Sequence, residues 1–184
     1  RRFQVVKIEE PTEEVAIDML RAMIPVMANH FSLHIDDEAI VTAVHSSHRY
    51  ISGRQLPDKA ISVLDTAAAR VALTQNAQPV KLDQLNAQLH NFNLELSLLE
   101  NEHRQNPVHQ ERLETLKNNI KILQNDIDQT TTQWKKELNI VDQIKALQES
   151  ADENVNKDIT RLRQELSLLQ GQTPLVFDRV NARI

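Results

Sequence analysis

Seven histidines are the first residues that suggest chemistry, because two pairs of them, His30 with His34 and His45 with His48, stand one helical turn apart, where two imidazoles can share a divalent cation. Neither pair brackets a glutamate as the helix of a zinc protease does, and the pattern places no third ligand, so they read as ordinary histidines and no metal site is assigned. With no cysteine in the chain, thiolate ligands, disulfides and cysteine nucleophiles are all excluded. Serine, histidine and aspartate are present, but no strand-turn-helix nucleophile elbow frames any serine. A phosphate cradle needs clustered glycines that let backbone N–H groups approach the oxygens, and the two glycines here, Gly53 and Gly171, lie far apart, so no nucleotide site is complete. What remains is arginine: Arg1-Arg2 at the start, and Arg54 within the unusual run His48-Arg49-Tyr50-Ile51-Ser52-Gly53-Arg54-Gln55-Leu56-Pro57-Asp58-Lys59-Ala60.

The elements that must position these residues follow from composition and period. In 184 residues, 40% hydrophobic and 26% charged, two glycines, six prolines and 3% aromatics leave few turn-formers and few strand-formers, which predicts a mostly helical chain with a real core. A net charge of -5 argues against general attraction to nucleic acid or an anionic membrane and leaves protein partners. No apolar run approaches the roughly 20 residues that span a bilayer. The opening Arg1-Arg2-Phe3 carries neither Met nor a signal-like segment and suggests an excised piece of a longer protein.

Phe3 to Ile8 reads as a short β-branched strand, closed by Glu9-Glu10-Pro11. Thr12 caps a helix with Glu13 and Glu14 at its positive dipole end and with Val15, Met19, Ala22, Met23 and Met27 along the expected inner face; Pro25 is expected to kink it. Asp36 starts a second helix, with Ile40, Ala43 and Val44 inward, that runs to the Gly53 turn. Pro57, at the first helical position, starts a third, with Ile61, Leu64, Ala68 and Val71 inward, ending before Pro79. Beyond it Leu82, Leu85, Leu89, Phe92, Leu96 and Leu99 alternate intervals of three and four, the seam of a coiled coil. Asn106-Pro107 turns the chain into a second seam from Leu113 through Ile120, Ile127, Trp134 and Leu138 to Val141. A third follows at Val155, Ile159, Leu162, Leu166 and Leu169, ending at Gly171. Single apolar stripes must meet one another in water, and the short turn makes pairing within one chain the cheaper solution.

The run from His48 to Ala60, continued by Ile61-Ser62-Val63-Leu64-Asp65-Thr66-Ala67, resembles the small-subdomain signature of the first ATPase module of Clp-type AAA+ unfoldases, in which an arginine precedes Leu-Pro-Asp-Lys-Ala. Arg1-Arg2-Phe3-Gln4 is similar to the end of the large subdomain in that family, and a coiled coil directly after the small subdomain is its middle domain. The resemblance implies an all-α fold with at most a short edge strand at the N-terminus: a small helical AAA+ lid subdomain plus an antiparallel coiled-coil arm. Residues 1–10 would end the large subdomain, 11–77 form the lid, 78–171 the middle domain, and 172–184 a linker towards a second ATPase module.

The same resemblance implies roles. Arg54 would be the sensor-two arginine that reads the ATP phosphates of its own subunit, and Arg1 and Arg2 finger-like catalytic residues acting in trans on a neighbour. A guanidinium suits both tasks, since it stays charged and presents fixed donors to developing phosphoryl charge. The parent would be a cytoplasmic homohexamer using ATP and Mg to thread protein substrates, with none of these cofactors bound to the fragment and no nucleic-acid or membrane partner. Leu64-Asp65-Thr66-Ala67-Ala68-Ala69-Arg70-Val71-Ala72-Leu73 and the short arm resemble the ClpV type, which recycles contracted type VI secretion sheaths. A ClpB-type disaggregase and a non-enzymatic coiled-coil scaffold are the alternatives.

Overall fold

The computed structural model describes residues 9–105, 110–149, 155–182 and 184, with the backbone alone at 103–105 and 149. Arg1, Arg2, the strand expected at 3–8 and the Asn106-Pro107 turn lie outside the described residues. The described elements are α1 (Glu13–Phe31), β1 (His34–Ile35), α2 (Asp37–Tyr50), α3 (Asp58–Asn76), α4 (Val80–Gln105), α5 (Gln110–Glu149), α6 (Val155–Gln170) and β2 (Arg179–Val180). They form two compact units, one of residues 1–76 with 177–184 and one of residues 77–176.

In the first unit the three helices pack on one another. Thr12 caps α1 as expected, its hydroxyl accepting from the Val15 N–H at 3.4 Å, and Ser32 ends the helix in the left-handed conformation. The inner face of α1 differs from the expected one. Ala16 and Leu20 are fully buried, backed by Ile17, Ile24 and Met27, while Val15, Met19 and Met23 are exposed. Apolar residues surround α1 on several faces, so period alone does not select the stripe; packing against α2 and α3 does. The helix continues through Pro25 to Phe31. In α2, Ile40, Ala43 and Val44 are buried, and in α3 Leu64, Ala68 and Val71, as their spacing requires.

Two starts differ in detail. Asp36 occupies the N-cap position of α2 but makes no side-chain cap bond; its carboxylate instead meets Arg179 Nε at 3.1 Å and His34 Nε2 at 3.3 Å. Pro57 stands one residue before the first helical position of α3, its carbonyl accepting from the Ala60 and Ile61 N–H groups at 3.0 Å.

The segment expected as a linker contributes to the first unit. Residues 179–180 pair in parallel with 34–35, Asp36 N–H donates to the Val180 carbonyl at 3.0 Å, and Val180 lies in the core with Phe177 and Ile184 beside it. Thr74 Oγ1 accepts from the Phe177 N–H at 3.2 Å and Gln75 Nε2 donates to its carbonyl at 2.6 Å. A pair of two-residue strands so far apart in the chain is too short for any period to announce.

The second unit is the three-helix arm, α4 packing along α5 and α5 along α6. At about 1.5 Å per residue the 40 residues of α5 extend roughly 60 Å, close to the combined span of the 26 residues of α4 and the 16 of α6. Leu82, Leu113, Leu116, Ile120 and Leu123 are buried, and Glu95 with Arg112 and Glu100 with Lys117 bridge α4 to α5. Further along, Ile140, Val141, Ile144, Ile159, Leu166 and Val176 form a second core flanked by Trp134 and Leu138. Within it the Glu137 carboxylate is fully buried, accepting from Gln133 at 2.7 Å, Gln170 at 3.1 Å, and the Leu175 and Val176 N–H groups at 2.9 Å. Gly171, at φ 52°, ends α6 as expected, where any side chain would be strained.

Candidate functional site

The candidate site is the loop between α2 and α3. Helix α2 closes with Arg49 stacked on the exposed Tyr50 ring, 5.3 Å from its centroid, and Gly53 at φ 90° supplies the turn that a side chain would resist. Arg54 follows directly. Its Nη1 donates to the Oγ of Ser62, one turn into α3, at 2.8 Å and stands 3.8 Å from the carboxylate of Asp58, the first residue of that helix. Ser62 Oγ in turn donates to the Asp58 carbonyl at 3.1 Å, so the serine hydroxyl links the arginine to the first turn of the helix. The Arg54 side chain is 59% exposed. A guanidinium held at one nitrogen, with the rest of its donor fork accessible, is arranged to accept an anion from outside the loop.

Behind this exposed arginine the loop is anchored in the core. Leu56 and Ala60 are buried, and Lys59 is only 4% exposed. Its ammonium meets Glu10 Oε1 at 3.1 Å, and the same oxygen accepts from the Leu56 N–H at 2.7 Å. The Leu56 N–H and then the Lys59 ammonium hold the Glu10 carboxyl below its ordinary range. In the sequence Glu10 is no more than part of the Glu9-Glu10-Pro11 stop. A carboxylate just before a proline looks like a solvated turn residue, and only the burial of Lys59 shows what it opposes.

The histidines are distributed differently from the spacing argument. His45 and His48 both face Glu13, His45 Nδ1 on one carboxylate oxygen and His48 Nε2 at 3.6 Å from the other, so the pair ties α2 to the first turn of α1. His30 stacks edge-on against Phe31, and His34 pairs with Asp36. Among the described residues no group of three His, Cys, Asp or Glu could hold a metal ion. Arg21 and Asp37 form a bidentate pair at 2.7 and 2.8 Å across α1 and α2, which lowers the Asp37 carboxyl and raises the Arg21 guanidinium. No helix of the described residues is long and apolar enough to cross a membrane.

A three-helix unit presenting an arginine on a glycine turn, continued by a coiled-coil arm, is the architecture of an AAA+ lid with a middle domain. A family model described as the AAA lid domain matches residues 12–119. The chain belongs to that family and is a ClpB/ClpV-type AAA+ segment. It is 38% identical over its whole length to "Chaperone protein ClpB" of Yersinia enterocolitica, covering 22% of that protein. It is 31% identical to "AAA+ ATPase ClpV1" of Pseudomonas aeruginosa, over 98% of this chain and 23% of that one. The chain thus spans between a fifth and a quarter of the length of these relatives. In fold it is like the S. cerevisiae Hsp104-ADP complex, with a TM-score of 0.57 and 23% identity over 98% of this chain and 29% of that one.

Proposed function

We propose that this chain is the nucleotide-responsive part of a hexameric, ATP-driven protein unfoldase: the lid of its first ATPase module and the coiled-coil arm that couples to ring assembly and activity. The observation that carries this reading is Arg54, presented on the Gly53 turn within the segment that resembles the Clp signature, with its donor fork exposed. In the parent protein Arg54 acts as the sensor-two residue on ATP phosphates, and Arg1 and Arg2 act as fingers on the nucleotide of the adjacent subunit. ATP and Mg are bound elsewhere in the parent, which works in the cytoplasm on protein substrates. The 184-residue chain alone hydrolyses no ATP, because the glycines of a phosphate cradle are not in it.

For the substrate, two readings are supported by different observations. The Leu64–Leu73 stretch and the compact arm favour ClpV-type disassembly of contracted secretion sheaths. The higher identity to the Yersinia protein, 38% against 31%, favours a ClpB-type disaggregase. The family match removes the ground for a free-standing scaffold.

The test is Arg54→Ala in the full-length protein. A hydrogen bond to a charged group is worth about 1.5–3 kcal/mol, so ATP turnover should fall about 10- to 160-fold while the lid stays folded. Unchanged turnover would remove Arg54 from the reaction. Incubation of the full-length protein with either contracted sheaths or heat-aggregated protein, scored for release of soluble subunits, separates the two substrate classes.

A further inference from the structure

The Glu10 carboxylate joins the residue that enters the lid to the loop that presents Arg54. We infer that Glu10 is a positioning residue for Arg54, setting the arginine's place according to where the preceding chain lies. This rests on the reading of Arg54 as the nucleotide sensor.

Three features lead to it. First, Glu10 and the loop are 46 residues apart in sequence, with all of α1 and α2 between them, yet one oxygen of Glu10 takes both the Leu56 N–H at 2.7 Å and the Lys59 ammonium at 3.1 Å. Second, the contact falls at the root of the sensor. Leu56 is two residues from Arg54, and Lys59 lies on the first turn of α3 beside Asp58, which Arg54 also approaches. Third, Lys59 is buried and Glu10 is its ion-pair partner among the described residues, so separating them would leave an ammonium in the core without a counter-charge. The contact therefore resists opening, and a displacement of residue 10 is carried into the 54–59 loop instead of being absorbed by slack. A residue that served only to hold the lid together could grip any part of it. Glu10 grips the backbone N–H of Leu56 and the side chain of Lys59, both within five residues of Arg54 on its α3 side.

The experiment uses the full-length ATPase with Glu10→Ala, Arg54→Ala, the double variant, and Glu10→Asp, measuring kcat and KM for ATP at a temperature where circular dichroism shows each protein folded. If Glu10 acts through Arg54, Glu10→Ala lowers turnover about fivefold or more. The double variant is then no slower than Arg54→Ala alone, because residues in one network are not additive, and Glu10→Asp restores part of the rate. Should Glu10→Ala fail to fold, Glu10→Ala combined with Lys59→Met removes the grip on Leu56 without leaving a buried ammonium unpaired, and the same non-additivity with Arg54→Ala is read. Full turnover in the folded Glu10 variants, with Arg54→Ala impaired, overturns the inference and leaves the sensor reading standing. Multiplying losses in the double variant overturn it too. Unchanged turnover in Arg54→Ala overturns both.

Discussion

Replacing Glu137 by Ala removes the acceptor around which the end of the arm is organised, and the structure lets the cost be worked out. One of its oxygens, Oε2, takes three donors: the Leu175 and Val176 N–H groups at 2.9 Å and the Gln170 amide at 3.1 Å; the other takes Gln133 at 2.7 Å. Val176 is fully buried, so its N–H has no water to turn to, and Leu175 is half-buried. Each orphaned buried donor costs about 1–3 kcal/mol, and the two glutamine amides recover part of their loss by rotating towards solvent, which gives about 3–5 kcal/mol for Glu137→Ala. Glu137→Gln is the informative comparison. Its carbonyl keeps the role of Oε2, and its amide group faces Gln133, which can turn its own oxygen inward, so only the charge assistance is lost, about 1 kcal/mol, partly offset by the cost of burying a carboxylate. Urea denaturation followed by fluorescence is suited to this, because the single tryptophan, Trp134, flanks the same core and reports that unit alone. The midpoint should fall strongly for Glu137→Ala and little for Glu137→Gln, at constant slope. Equal losses in both, or a Glu137→Ala midpoint within about 1 kcal/mol of the parent, would refute the accounting.

Two further outcomes follow from the first unit. Glu10 and Asp37 both titrate below their ordinary values of 4.5 and 3.8, so their contribution to stability is complete above those values and is lost as pH falls through the depressed ones. Melting followed by circular dichroism from neutral pH down to about pH 3 should show a decline that begins below 4.5, and Glu10→Gln with Asp37→Asn should flatten it; parallel profiles would contradict this. Leu64→Ala, at a position 1% exposed, should cost about 2–5 kcal/mol in urea denaturation, whereas Leu168→Ala, 86% exposed on α6, should stay within about 0.5 kcal/mol.

Features that depend on local chemistry or a long period were legible in the sequence: the Thr12 cap, the stop at Pro79, the Gly171 terminus and the leucine seams of α4, α5 and α6. The loop that presents Arg54 was legible as a motif. Features that depend on distant partners were not. The buried stripe of α1 is chosen by α2 and α3, since Val15 and Met19 are as apolar as Leu20. Glu137 occupies a seam position, where a carboxylate reads as a solvated residue, and is buried because Leu175 and Val176 return to it from 38 and 39 residues away. The Glu10–Lys59 contact and the β1–β2 pair are of the same kind: each half is unremarkable until the fold brings the other to it.

The pairing of β2 with β1 also bears on how the chain is made. Val180, which completes the first core, leaves the ribosome 104 residues after Asn76 (180 − 76), an interval of about 5–20 s at ordinary elongation rates. For that time the edge at His34–Ile35 lacks its partner strand, while the whole of the arm's unit emerges before Val180. The edge strand of the lid thus meets its partner only after the intervening arm has been synthesised, and it is during synthesis that such an edge is most exposed to pairing with the wrong partner.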